Sequence, residues 1–212
     1  MPACLHGEFL ILTPIPPQRL DVALDRFAGK LHDAPARAAF ARIRATAAER
    51  AEGTVAETHR EQALALARQY GMEAHPAGTA CAFNWDGAAL DGDTEAYVIL
   101  HEAAHFVLAP PERRTLIDFG LGPGPDTTDR AAAERAAIVP ILKREADEAA
   151  ASLLGILWEA ALGHPALASF LDQNWLEGLD RSAAPHFTAV LTRLRRSLPT
   201  EAAFHLSARE IR

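Results

Sequence analysis

Two histidines four residues apart inside an apolar run, His101-Glu102-Ala103-Ala104-His105, constrain this chain more than any other feature. On an α-helix, residues i and i+4 share a face, so both imidazoles point at one spot. That is the geometry of a helical metal site, and Glu102 between the two is where a metal-activated water would find a base. Tyr97-Val98-Ile99-Leu100 leads into the motif, Phe106-Val107-Leu108 leaves it, and Pro110-Pro111 stops the helix. The pattern predicts a helix from about Thr94 to Leu108 with a metal centre buried between packed helices. The plainer reading is two ordinary core or surface histidines out of the nine in the chain.

Two imidazoles do not complete a metal site. A third ligand, usually Glu or Asp, is expected from a later helix packed against the first. The segment Lys143-Arg144-Glu145-Ala146-Asp147-Glu148-Ala149-Ala150-Ala151-Ser152 offers a carboxylate cluster followed by small residues that allow close approach. Glu145 is the first choice, Glu148 the second because one turn later it can share the face, and Asp147 the third. The competing reading makes all three a solvated acidic first turn, which the helix dipole favours.

The chain's 212 residues suffice for one domain with a substantial core, or one domain and a small helical lobe. A net charge of -7 without a Lys/Arg cluster argues against nucleic acid or an anionic membrane as partner. No uncharged apolar run reaches membrane-spanning length, and the start lacks the basic segment of a secretory signal, so the expected location is the cytoplasm. The two cysteines, Cys4 and Cys81, have no metal-site spacing and exclude a disulfide framework.

Along the chain the expected order is mostly helix. Pro14, Pro16 and Pro17 close a short extended segment. Two or three amphipathic helices follow between Arg19 and Tyr70, with breaks near His32-Asp33-Ala34-Pro35 and at Gly53. Residues 71–76 read as a turn, and Thr79 to Trp85 as the best strand. Gly120-Leu121-Gly122-Pro123-Gly124-Pro125-Asp126 lacks the strand-to-helix context of a dinucleotide fingerprint, so it reads as a constrained loop beside the metal centre. Arg113 or Arg114 is expected to tie a loop to the end of the motif helix, where cations are favoured. Trp175 is expected in the core, with Asn174-Trp175 as possible pocket lining. The scattered His59, His75, His164, His186 and His205 read as structural or solvent-facing.

Beyond the metal motif, His101 to Ala109, Glu112-Arg113-Arg114, Asp118-Phe119-Gly120, Pro125-Asp126, the segment from Glu145, Asp172 to Gly178 and Pro199 to Phe204 follow one another in an order that resembles the elongation factor P hydroxylase family. The likeness covers roughly residues 80 to 205. An aromatic stretch that the family carries after Asp-Phe-Gly is replaced here by Leu121-Gly122-Pro123-Gly124. The resemblance implies a helical metalloprotease-like domain over residues 77–212; with the short strand segment and the N-terminal helical region over residues 1–76, which the likeness does not cover, the expected fold is mainly α. It implies His101, His105 and Glu145 as ligands of one divalent metal ion. It also implies hydroxylation of a lysine-type side chain on a protein, with elongation factor P as the family's substrate.

The same ligand set supports two chemistries. With iron, two His and one carboxylate leave open positions for dioxygen and substrate. With zinc, an open position holds water, and Glu102 serves as general base of a metallopeptidase or amidohydrolase. A non-catalytic, metal-stabilised binding protein is the third possibility.

Overall fold

The computed structural model describes residues 15–176 and 183–198, apart from the side chain of Pro17. The expectations for Cys4, Pro14, His205, Glu177-Gly178 and Pro199 to Phe204 lie outside the described residues. What is described is mainly helical: α1 (Pro17–Gly29), α2 (Ala34–Arg44), α3 (Gly53–Gln69), α4 (Ala96–Leu108), α5 (Arg130–Ala136), α6 (Ile141–Leu162), α7 (Ala166–Asp172) and α8 (Ala183–Ser197). Two two-residue strands, β1 (Glu73–Ala74) and β2 (Ala89–Leu90), pair in parallel with Glu73 opposite Ala89. No described helix is long and apolar enough to cross a membrane.

The helix boundaries follow local chemistry. Asp33 accepts a hydrogen bond from the Ala36 N–H at 3.0 Å and caps α2 just ahead of Pro35. Gly53 opens α3, so the stretch between Arg19 and Tyr70 holds three helices with breaks where the sequence puts them. α4 ends at Leu108, and Pro110 and Pro111 carry the chain into a 3-10 turn over Pro111–Arg113. Asp129 caps α5 by accepting from the Ala132 N–H at 3.0 Å.

The expected strand over Thr79 to Trp85 is not formed. Its only ladder contact is an isolated bridge from Trp85 to Leu90. The backbone bonds that a strand would spend on a neighbour go elsewhere. The Ala82 carbonyl accepts from the Thr128 N–H, the Asn84 carbonyl from the Asp91 N–H, and the Trp85 carbonyl from the Asp118 N–H. The segment is a loop laid across the end of α4, and its backbone holds other loops in place. Residues 71–76, read as a turn, contain β1.

α4 and α6 make the largest helix contact and α3 covers α4 from the other side. One buried apolar cluster takes Leu24, Phe40, Ile43 and Leu66 from before residue 76 and Ile99, Leu100, Leu154, Phe170 and Phe187 from after it. At one end, Phe27, Phe40, Phe170 and Phe187 pack with ring centroids 4.7–6.5 Å apart. Such spacings suit edge-to-face and tilted aromatic contacts. Small residues let α6 lie close to α4: Ala103, Ala104, Ala150 and Ala151 are all buried. At Gly155 the two helices come close. A Cβ there would sit 3.3 Å from the Cα and N of His101.

Candidate metal centre

His101 and His105 project from α4 with their Nε2 atoms 3.0 Å apart. The Glu148 Oε2 from α6 lies 3.4 Å from the first and 3.3 Å from the second. Three donor atoms about 2.1 Å from a common ion, at angles between octahedral and tetrahedral, would be separated by about 3.0–3.4 Å. The observed triangle has those edges, so the residues fit one divalent ion. Among the described residues, His101, His105 and Glu148 form the group that could hold a metal.

The third carboxylate is therefore Glu148, where the sequence puts Glu145 first. Glu145 is exposed, on the rim of the same cavity. Asp147, the third choice, is turned away and committed. Its carboxylate takes Arg113 at 3.0 Å, Lys143 at 2.9 Å and Arg193 at 2.9 Å. That ion cluster, in which Asp147 and Arg113 are buried and Lys143 and Arg193 are exposed, fastens the turn after α4 and the helix α8 to the first turns of α6.

Charge at the triad is set by proximity. Burial opposes a charged His105, yet Glu148 beside it raises its proton affinity above the ordinary imidazole value. Burial would likewise raise Glu148, but the two imidazoles hold it well below the usual carboxylate range. His105 and Glu148 thus favour each other's charged form. His105 is held in orientation by stacking on Phe119, with centroids 5.5 Å apart, and Phe119 stacks in turn on Trp85 at 5.7 Å.

The triad opens on a cavity of about 810 Å³. Glu102, buried, lines it one residue after His101, and the Asn84 amide donates to its Oε1 at 3.5 Å. Burial raises the Glu102 carboxyl above its ordinary value. Asp118 lines the opposite wall, accepts from Thr127 Oγ1 at 3.0 Å, and is also raised by burial. Asp118 and Phe119 both have left-handed backbones, with φ of 44° and 55°. Two consecutive non-glycine residues in that region are strained, and such strain persists where surrounding contacts over-determine it. Here the Trp85 carbonyl, Thr127 and the aromatic stack do so.

The Gly120–Asp126 loop does border the metal site, with Leu121 to Asp126 along the cavity wall. Arg114 ties its loop to the end of α4, its Nε donating to the Ala109 carbonyl at 3.0 Å. Trp175 is both buried and cavity-lining, and its Nε1 donates to Ser152 Oγ at 2.7 Å. His75 binds Asp86 at 2.8 Å, and His164 binds Gln62 at 2.8 Å while stacked on His59, so these three are structural. Cys81 is a free thiol. The sequence reading missed Asn84, Tyr97, Arg144 and Gln173 as cavity residues. Asn84 and Gln173 carry no pattern that marks them, since the loops that deliver them are placed by backbone bonds.

No protein-family model, curated protein or solved structure matches the chain.

Proposed function

We propose that this protein is a metal-dependent oxygenase of the non-haem iron type that hydroxylates a lysine-type side chain of a protein in the cytoplasm. The observation that carries the reading is the convergence of His101, His105 and Glu148 on one point in the wall of an open cavity. Two imidazoles and one carboxylate on one face of an iron ion leave positions for dioxygen and substrate, which is the donor set of non-haem oxygenases. The rest of the wall supplies the substrate preference. Glu102, Asp118, Asp126 and Glu145 surround the space in front of the triad and suit a cationic side chain. The resemblance to elongation factor P hydroxylases points to the same substrate class.

A second reading is favoured by Glu102. Its carboxyl is buried on the cavity side of α4, next to the triad, and burial raises its proton affinity above the ordinary carboxylate value. In a zinc hydrolase it would take the proton of the attacking water and pass it to the leaving amine.

One experiment separates them. The protein is loaded anaerobically with ferrous iron, or with zinc, and incubated under air with lysine-containing peptides and elongation factor P, together with ascorbate to supply the two electrons that carry the second oxygen atom to water. Oxygen uptake with a product mass gain of one oxygen, retained in part by Glu102→Gln, is the expected result. Peptide cleavage with zinc, reduced by several powers of ten in Glu102→Gln with metal retained, would replace the oxygenase by the hydrolase. The third possibility, a binding protein, would give neither product.

A further inference from the structure

The cavity wall carries one guanidinium among five carboxylates. Arg144 shares the wall with Glu102, Asp118, Asp126, Glu145 and Glu148. It lies one helical turn before Glu148, on the same face of α6. Its guanidinium packs on the backbone of Gly122, where φ is 91° and an added Cβ would fall 3.1–3.3 Å from Nη2, Nη1 and Cζ. Only a glycine leaves room for that contact.

Despite its neighbours, the Arg144 guanidinium forms no ion pair or hydrogen bond among the described residues, and its Nε is buried without a partner, as are Nε and Nη1 of Arg113. The other arginines around the site are engaged. Arg113 and Arg193 hold Asp147, Arg114 holds the Ala109 carbonyl, and Arg50 holds Asp172 and Ser169. A partly buried charged donor left unsatisfied is costly, and in native proteins such a group calls for an explanation. The planar fork of a guanidinium matches a carboxylate with two parallel hydrogen bonds. A phosphate concentrates up to two charges on the one group that meets the guanidinium and its five carboxylate neighbours, where a carboxylate carries one.

We propose that Arg144, backed by Gly122, is an anion subsite that holds the carboxylate of a small organic acid in the same cavity as the His101–His105–Glu148 triad. On the proposed function, the lysine-type side chain that enters has no carboxylate to offer, so this ligand is a second, small molecule bound alongside it. The subsite does not depend on which metal the triad holds, or on the triad holding one.

The test is calorimetric titration of metal-free protein with succinate, with succinamide as the uncharged control and inorganic phosphate as the competing anion. Saturable one-to-one succinate binding is expected, with no response to succinamide. Arg144→Gln should weaken it at least tenfold. Arg144→Lys, which keeps the charge and loses the fork, should weaken it less. Circular dichroism melts show whether each variant is folded. The wild-type and Lys titrations decide the matter if the Gln variant is not. Absence of saturable binding to the wild type overturns the subsite, as does unchanged affinity in a folded Arg144→Gln. Phosphate binding in preference to succinate overturns the carboxylate assignment. Metal content, measured on the same preparations, reports separately on the triad.

Discussion

A carboxylate wedged against two imidazoles competes with a metal through protons. Because Glu148 raises His105 above its ordinary value despite burial, a metal bound there would compete with a proton for the imidazole. Apparent affinity for zinc or ferrous iron should therefore rise from pH 6 to pH 8, by up to about tenfold per unit for each proton displaced. Fluorescence competition with a chelator would read it, and a flat profile would argue that the cluster is already deprotonated. His101→Ala and His105→Ala should abolish stoichiometric metal, measured by elemental analysis. Glu148→Ala should weaken affinity by orders of magnitude, whereas Glu145→Ala should behave as a surface change. Equal effects of the two glutamates would show that the triad is not the binding set. At this scale His101, His105 and Glu102 are legible in the sequence because a spacing of four is the helix's own repeat. Arg144 is not, since an arginine beside acidic residues reads as an ordinary surface ion pair.

The contact between α4 and α6 explains why Glu148 rather than Glu145 faces the histidines. At 3.6 residues per turn, each residue advances about 100°. Gly155 marks a line of close approach to His101. Seven residues earlier, Glu148 returns to within about 20° of that line, and eleven earlier so does Arg144. Glu145 falls about 80° to one side and Asp147 about 80° to the other. Glycine at 155, read as the inner edge of the helix, would have ranked Glu148 first from sequence alone. The strand expected over Thr79 to Trp85 could not have been corrected in the same way. Alternation describes a chain that has a neighbour to pair with, and the partner of this one is set by distant loops. Gly155→Leu should push α4 and α6 apart, costing about 1–3 kcal/mol in stability. It should also weaken metal binding more than an equally destabilising change far from the triad, such as Ile43→Ala. Thermal melts with parallel metal titrations check this. An unaffected metal site in the Leu variant would show that the helices tolerate the shift.

Across the described molecule, the two halves contribute to one apolar cluster. The apolar cluster passes through residue 76 without a break, and α3 covers the face of α4 opposite to α6. The helical content is legible from composition and periodicity, but the boundary suggested by them, at residue 76, marks no gap in the core. A loop from the first half also stabilises the far end of α6. Arg50 reaches Asp172 at 2.9 Å, stacks over Tyr97 at 3.7 Å, and approaches the buried Glu159 at 3.6 Å. Burial pushes Glu159 up to about 7 from an ordinary value of 4.5, although Ser169 and Arg50 favour its charged form. The folded chain thus holds this proton more tightly than the unfolded one, and stability falls as pH rises from 4.5 through 7. Glu159→Gln cannot ionise. Its melting temperature relative to wild type should be near unchanged at pH 5 and higher by ~2–5 °C at pH 8. A gain independent of pH would place the effect elsewhere. The triad stands on two helices whose apposition rests on alanine, glycine and an apolar core, so its geometry is paid for before any ion arrives. A metal held there would exchange through the cavity mouth without refolding of the chain. A chelator should strip the ion without a change in far-ultraviolet circular dichroism, and re-addition should restore occupancy in a single fast phase with no slow folding step behind it.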